Sequence, residues 1–155
     1  MFKLQDILKF SESDVKKMAQ NTVRRHKKQI LDGKDFQGKS FGSYAPYSDS
    51  YAARKKVNKS DVNLKLSGKM LNAFNVQRTK VKKNQEIQYL YGIKKNKQGT
   101  KLFNHNEGKE KMPKRSIAED QQLGDDVEEG VVKDFANTIG KNLSRMSKTH
   151  VKLNI

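Results

Sequence analysis

Residues 11–33, SESDVKKMAQNTVRRHKKQILDG, constrain the fold most, because their apolar spacing admits one regular structure. Val15, Met18, Ala19, Thr22, Val23, His26 and Ile30 recur at intervals of three and four, the repeat of one helical face. Ser11 stands three residues before Asp14, close to a capping box, and Gly33 ends the run. Lys16, Lys17, Arg24, Lys27 and Lys28 lie mostly elsewhere and read as a solvated surface rather than a nucleic-acid patch. A stripe of this kind is stable only against other apolar surface, which the rest of the chain has to supply.

The spacing that follows predicts a small antiparallel sheet. DVNLKLSG, from Asp61, alternates Val62, Leu64 and Leu66 with polar residues, as in a half-buried strand. Ser67 and Gly68 then open a short helix with Met70, Leu71 and Phe74 inward. NVQRTKVKKNQEIQYLYGI reads as a hairpin about Lys83-Asn84-Gln85, with Val76 and Val81 on one strand and Ile87, Tyr89 and Tyr91 on the other. Before the sheet lies a loop rich in Gly, Ser and Asp, then Pro46, then a helix over 50–57 capped by Ser48 or Asp49.

After it, KKNKQGTK (94–101) reads as a basic loop, LFNHNEG as one helical turn stopped by Gly108, and KMPKRSIA as extended chain. A last helix over 125–146 carries Val127, Val131, Phe135, Ile139, Leu143 and Met146 at helical spacing. Its acidic first turn suits the helix dipole. The expected architecture is α+β: one domain over 1–146 with an N-terminal arm at 1–10, a long N-terminal helix, a small antiparallel sheet with a hairpin and a C-terminal helix. Extended loops and a basic tail at 147–155 complete it.

Such a chain has little apolar material to bury. Hydrophobic residues make up 34% and charged residues 32%, there is no Trp, and mean hydropathy is −0.95. The expected core is therefore small, with segments that order against partners. The net charge is +16, unevenly placed: 28 Lys and Arg against 10 Asp and Glu in residues 1–115, and 5 against 7 beyond. That asymmetry suits an anionic partner or contact with further copies of the chain. Cysteine is absent, which removes disulfides and thiol chemistry. No apolar run approaches the roughly 20 residues of a bilayer-crossing helix, so no membrane role is expected and the chain reads as made in its host's cytoplasm.

Reactive constellations are missing from the sequence. His26, His105 and His150 are far apart and lack the neighbours of a metal site, and Glu128-Glu129 diverge on a helix. No catalytic residue, metal or cofactor is expected, and the chain does not read as an enzyme. Its 27 lysines against 6 arginines suit loose electrostatic contact with phosphates better than base readout. A stand-alone basic nucleic-acid-binding protein is therefore the alternative reading, with Phe41, Tyr44, Tyr47 and Tyr51 as a stacking platform.

Two stretches carry a resemblance. GKSFGSYAPYSDSYAARKK, then a strand and LSGKML, is followed by a hairpin and LFNHNEGKEKMPKRSI. In this order the pieces resemble the tailed-phage virion morphogenesis proteins, which include tail-completion and neck (head–tail joining) proteins, over about residues 36–118. Departures occur at Leu102-Phe103-Asn104, where relatives carry Tyr-Ala before the histidine, and at Ser116-Ile117, where a bulky residue often follows. The resemblance implies a non-enzymatic virion protein at the head–tail junction. It implies a homo-oligomeric ring, of six copies, against connector or portal-side and tail proteins, with non-specific contact to DNA in the channel. It assigns structural roles to Phe41, Pro46, Tyr47, Tyr51, Arg54, Gly68, His105, Gly108, Pro113 and Arg115. Lys94, Lys95, Lys97 and Lys101 become candidates for partner or lumen contact.

Overall fold

The computed structural model describes residues 7–64, 68–82, 86–118 and 125–149. Helix α1 (Glu12–Leu31) begins as its sequence requires, with Ser11 and Asp14 each capping the other's backbone N–H. Its inward residues are those of the apolar stripe, joined by Gln29. Two short helices follow, α2 (Phe41–Tyr44) and α3 (Asp49–Lys55), the second capped by the Ser48 side chain. A single 3-10 turn (Leu71–Ala73) leads into the antiparallel hairpin of β1 (Phe74–Val81) and β2 (Ile87–Ile93). Helices α4 (Lys97–Glu107) and α5 (Asp125–Thr149) complete the α+β fold.

The hairpin shows one apolar face to α1, and a bulge makes that face continuous. Val76 and Val81 differ by an odd number of residues, so a regular strand would send them to opposite sides. The register shifts between Val76 and Arg78, which leaves Gln77 unpaired and turns Thr79 and Val81 to the side of Phe74 and Val76. Opposite them stand Ile93, Tyr91, Tyr89 and Ile87. The hairpin therefore spans two apolar clusters. The larger gathers Val23, Ile30, Phe41, Phe74, Leu102 and Ile117, and the smaller gathers Phe10, Val15 and Met18 with Val81, Ile87 and Tyr89. Full burial of one such side chain contributes about 1.5–3 kcal/mol.

Three expectations are corrected. Residues 61–64 form no strand: Leu64 takes a left-handed φ of 51°, and its N–H donates to the Tyr47 hydroxyl instead of to a neighbouring strand. Val62 and Leu64 are buried all the same, so the alternation reported burial and not pairing. Leu66 and the turn at 83–85 lie outside the described residues.

The expected loop at 94–101 is half helix. Asn96 caps α4, accepting from the N–H groups of Gln98 and Gly99, so Lys97 and Lys101 sit on helical turns. Gly99, which looked like a loop residue, is required there by close contact: a Cβ would lie 1.8 Å from the Lys94 carbonyl oxygen.

Helix α5 runs to Thr149, past the expected boundary at 146, while 150–155 lie outside the described residues. Its apolar stripe is only partly used. Val127 and Thr138 are buried, but Phe135 and Leu143 remain 39% and 47% exposed. Polar contacts set this rotation. Asp134 takes a 2.7 Å ion pair from Arg25 and a hydrogen bond from Asn21, both on α1. Asn142 donates to the carbonyls of Ile7 and Lys9 in the arm, and Phe10 stacks on Phe135 at 4.7 Å.

Candidate functional site

The two stretches separated by the hairpin meet at Arg115. This residue is 1% exposed and has no carboxylate beside it among the described residues. Its guanidinium donates to the carbonyl oxygens of Ala45 (2.9 Å) and Pro46 (3.4 Å) and to Nδ1 of His105 (3.1 Å), and it lies over the Tyr47 ring at 5.5 Å. Its own N–H donates to the His105 carbonyl. Burial lowers its pKa, partly offset by the Tyr47, Tyr44 and Tyr51 hydroxyls, yet an arginine stays cationic under these conditions. A buried cation held by carbonyl dipoles and an aromatic face is a strong positional constraint, since any misplacement leaves charge unsolvated.

Local backbone structure delivers each partner. Pro46 separates α2 from α3 and sits exposed with its carbonyl turned to Arg115. Helix α4 ends on Gly108 in a left-handed conformation (φ 69°), where a Cβ would also meet Lys114 at 2.9 Å, and the chain then doubles back through Pro113. The returning strand of chain is pinned residue by residue. Ser116 donates its N–H to the Tyr44 hydroxyl, and Ile117 and Ala118 both donate to Oδ1 of Asn106. The Ile117 carbonyl accepts from Nε2 of His26 at 2.5 Å. Asn106 and His26 are the partners that the motif alone did not single out; a polar side chain flanking His105, and a histidine on an apolar helical face, were the only signals.

Tyr44, Tyr47 and Tyr51, around Pro46, are engaged within the chain. Phe41 is fully buried. Arg54 covers the Tyr51 ring at 5.0 Å, Lys55 the Tyr47 ring at 4.8 Å, and Lys39 the Tyr44 ring at 5.1 Å. Burial first, and Asp35 second, push the Tyr44 hydroxyl up to about 12, so it serves as a neutral hydrogen-bonding group. Each ring thus carries one of the chain's own cations, and the rings and cations form a packed cluster within the chain.

Gly68 stands apart, left-handed at φ 73° just before the 3-10 turn. Lys94, Lys95, Lys97 and Lys101 are all exposed around the start of α4, away from Arg115. Among the described residues no group of His, Asp and Glu is placed to hold a metal, and no helix is long and apolar enough to cross a membrane. No family model, curated protein or solved structure matches the chain.

The junction has a titration signature. Burial, and then the Arg115 charge, lower the His105 pKa to about 4; burial also lowers that of His26. Both imidazoles accept a proton more readily unfolded than folded. Stability is therefore fully present above the ordinary histidine pKa of about 6.5 and falls as pH drops from there towards 4. After discounting for partial exposure, His105 contributes about 2 kcal/mol to that loss. Asp14 and Asp134, both held below the ordinary carboxylate range, act only at lower pH. Urea midpoints at pH 7, 5.5 and 4.5 should decline in step, and His105→Gln should flatten the slope; a constant midpoint would refute the assignment.

Proposed function

We propose that this chain is a structural virion protein of a tailed phage, a non-enzymatic ring component of the neck or tail-completion assembly at the head–tail joint. The observation that carries the reading is the Arg115 junction. The two stretches whose order resembles the morphogenesis family form one packed unit, in which Phe41, Pro46, Tyr47, His105, Gly108 and Arg115 hold chain segments together. Side chains spent on mutual positioning suit a part that must present a fixed shape to neighbours. The half-used apolar stripe of α5 supports the same reading, since a ring would cover what one copy leaves open.

Six copies, portal-side and tail neighbours and a DNA-facing lysine cluster belong to this proposal. The exposed lysines at 94, 95, 97 and 101 favour the alternative of a free nucleic-acid binder to a lesser degree, because four neighbouring cations neutralise phosphates without sequence preference. Immunogold microscopy of intact particles with an antibody to this chain separates the two. Label at the head–tail junction is the expected result. Protein absent from particles, and held on nucleic acid in the lysate by contacts that salt dissolves, would replace the reading with its alternative.

A further inference from the structure

Two partly exposed surfaces of the monomer complement each other, Phe135 keeping one face open beside its stack on Phe10. The first is the outer stripe of α5. Val132, Phe135 and Leu143 are 63%, 39% and 47% exposed, and exposed Asp125, Glu128 and Glu129 lead into the stripe. The second is a shallow groove of about 440 Å³ on α1, between Val23, Leu31 and Asn75, with Arg24, Lys27 and Lys28 along its rim. Leu31 is 37% exposed although its neighbours on the helix are cations. Burial, and then the Lys94 charge, lower the Lys27 pKa. Lys28 has a long 3.4 Å contact to Asp32 as its ion pair, exposed on both sides. An incoming carboxylate would relieve that repulsion.

The two surfaces cannot meet within one copy. Helix α5 packs on the side of α1 that carries Asn21 and Arg25, through Asp134 and Thr138. Gln20, Arg24, Lys27 and Leu31 point to another side of the same helix, by the 100° advance per residue. A contact joining stripe to groove must therefore be made between copies, and it joins different surfaces on each. Such a head-to-tail contact repeats and closes into a ring when its rotation permits, whereas pairing stripe to stripe would stop at two copies.

Resting on the ring reading above, we propose that the occupant of the α1 groove is α5 of a second copy. Val132 and Phe135 cover Val23 and Leu31, and Asp125, Glu128 and Glu129 face Arg24, Lys27 and Lys28. Apolar contact supplies the affinity and the charges fix partner orientation, since like-charged alternatives are disfavoured.

Because the chain has no cysteine, disulfide trapping on the full-length protein tests the register directly. Leu31→Cys/Val132→Cys, oxidised mildly, should give a ladder of covalent multimers, with each single variant giving none. A mixture of the two single variants should give cross-linked dimers. Glu128→Lys/Glu129→Lys should cut ladder formation at least tenfold, and adding Lys27→Glu/Lys28→Glu should restore it. Trapping of Val132→Cys alone as dimers would overturn the proposal in favour of paired α5 helices. A ring of fixed copy number by native mass spectrometry, with no ladder and no response to charge reversal, would overturn this interface while leaving the ring reading intact. A chain that stays monomeric at all concentrations would overturn both.

Discussion

Arg115→Ala is expected to lower the stability of the folded chain by about 3–5 kcal/mol, a large share of the roughly 5–15 kcal/mol typical of a domain. The substitution removes the donors satisfying the Ala45 and Pro46 carbonyls and His105 Nδ1, and opens a cavity under the Tyr47 ring. Arg115→Lys keeps the charge but not the planar fork that reaches carbonyl and imidazole together, so about 2–3 kcal/mol should still be lost. Urea unfolding followed by circular dichroism gives both values. If the lysine variant matches the parent, charge alone suffices and the junction is not the geometric clamp described above. The loss should also loosen residues 44–47 against the 115–118 segment, read as faster amide exchange in both.

The second large effect has a sign opposite to simple helix propensity. Alanine is better than glycine in a helix interior by about 1 kcal/mol, so Gly99→Ala in α4 would ordinarily stabilise. Here the added Cβ would fall 1.8 Å from the Lys94 carbonyl oxygen and 3.1 Å from Ile93. The first turn of α4 must shift, which disturbs the Asn96 cap and the Lys94 N–H bond to Ala73 that seats the helix beside the 3-10 turn. A net loss of about 2–4 kcal/mol is expected. Thermal melts suffice to check it, and a raised midpoint would refute the close approach. Gly140, with nothing near its Cβ on exposed α5, is the matched control: its alanine variant should gain stability.

Both sites illustrate where sequence reasoning reached and where it stopped. The α1 stripe, the Ser48 cap and the hairpin were legible because each depends on spacing or on a side chain bonding to its own neighbourhood. The motif residues around 41–54 and 105–115 were legible as a set, through their order. Their common purpose was not. By composition Arg115 is one of 33 cations, and the resemblance gave it a structural role without partners; only the approach of the Ala45–Pro46 carbonyls from about 70 residues away makes it a core residue.

The sequence by itself determined α1, the hairpin, the α+β class and the excess of apolar stripe over available core. Those follow from periodicity, capping and composition, which act over a few residues. Tertiary structure alone decided three things. The bulge at Gln77 put Val76 and Val81 on one face; Leu64 turned left-handed where its alternation suggested a strand; and Arg25 with Asn21 drew Asp134 inward, rotating Phe135 and Leu143 towards solvent. In each case a long-range hydrogen bond, ion pair or packing contact outweighed a local preference worth less than about 1 kcal/mol per residue.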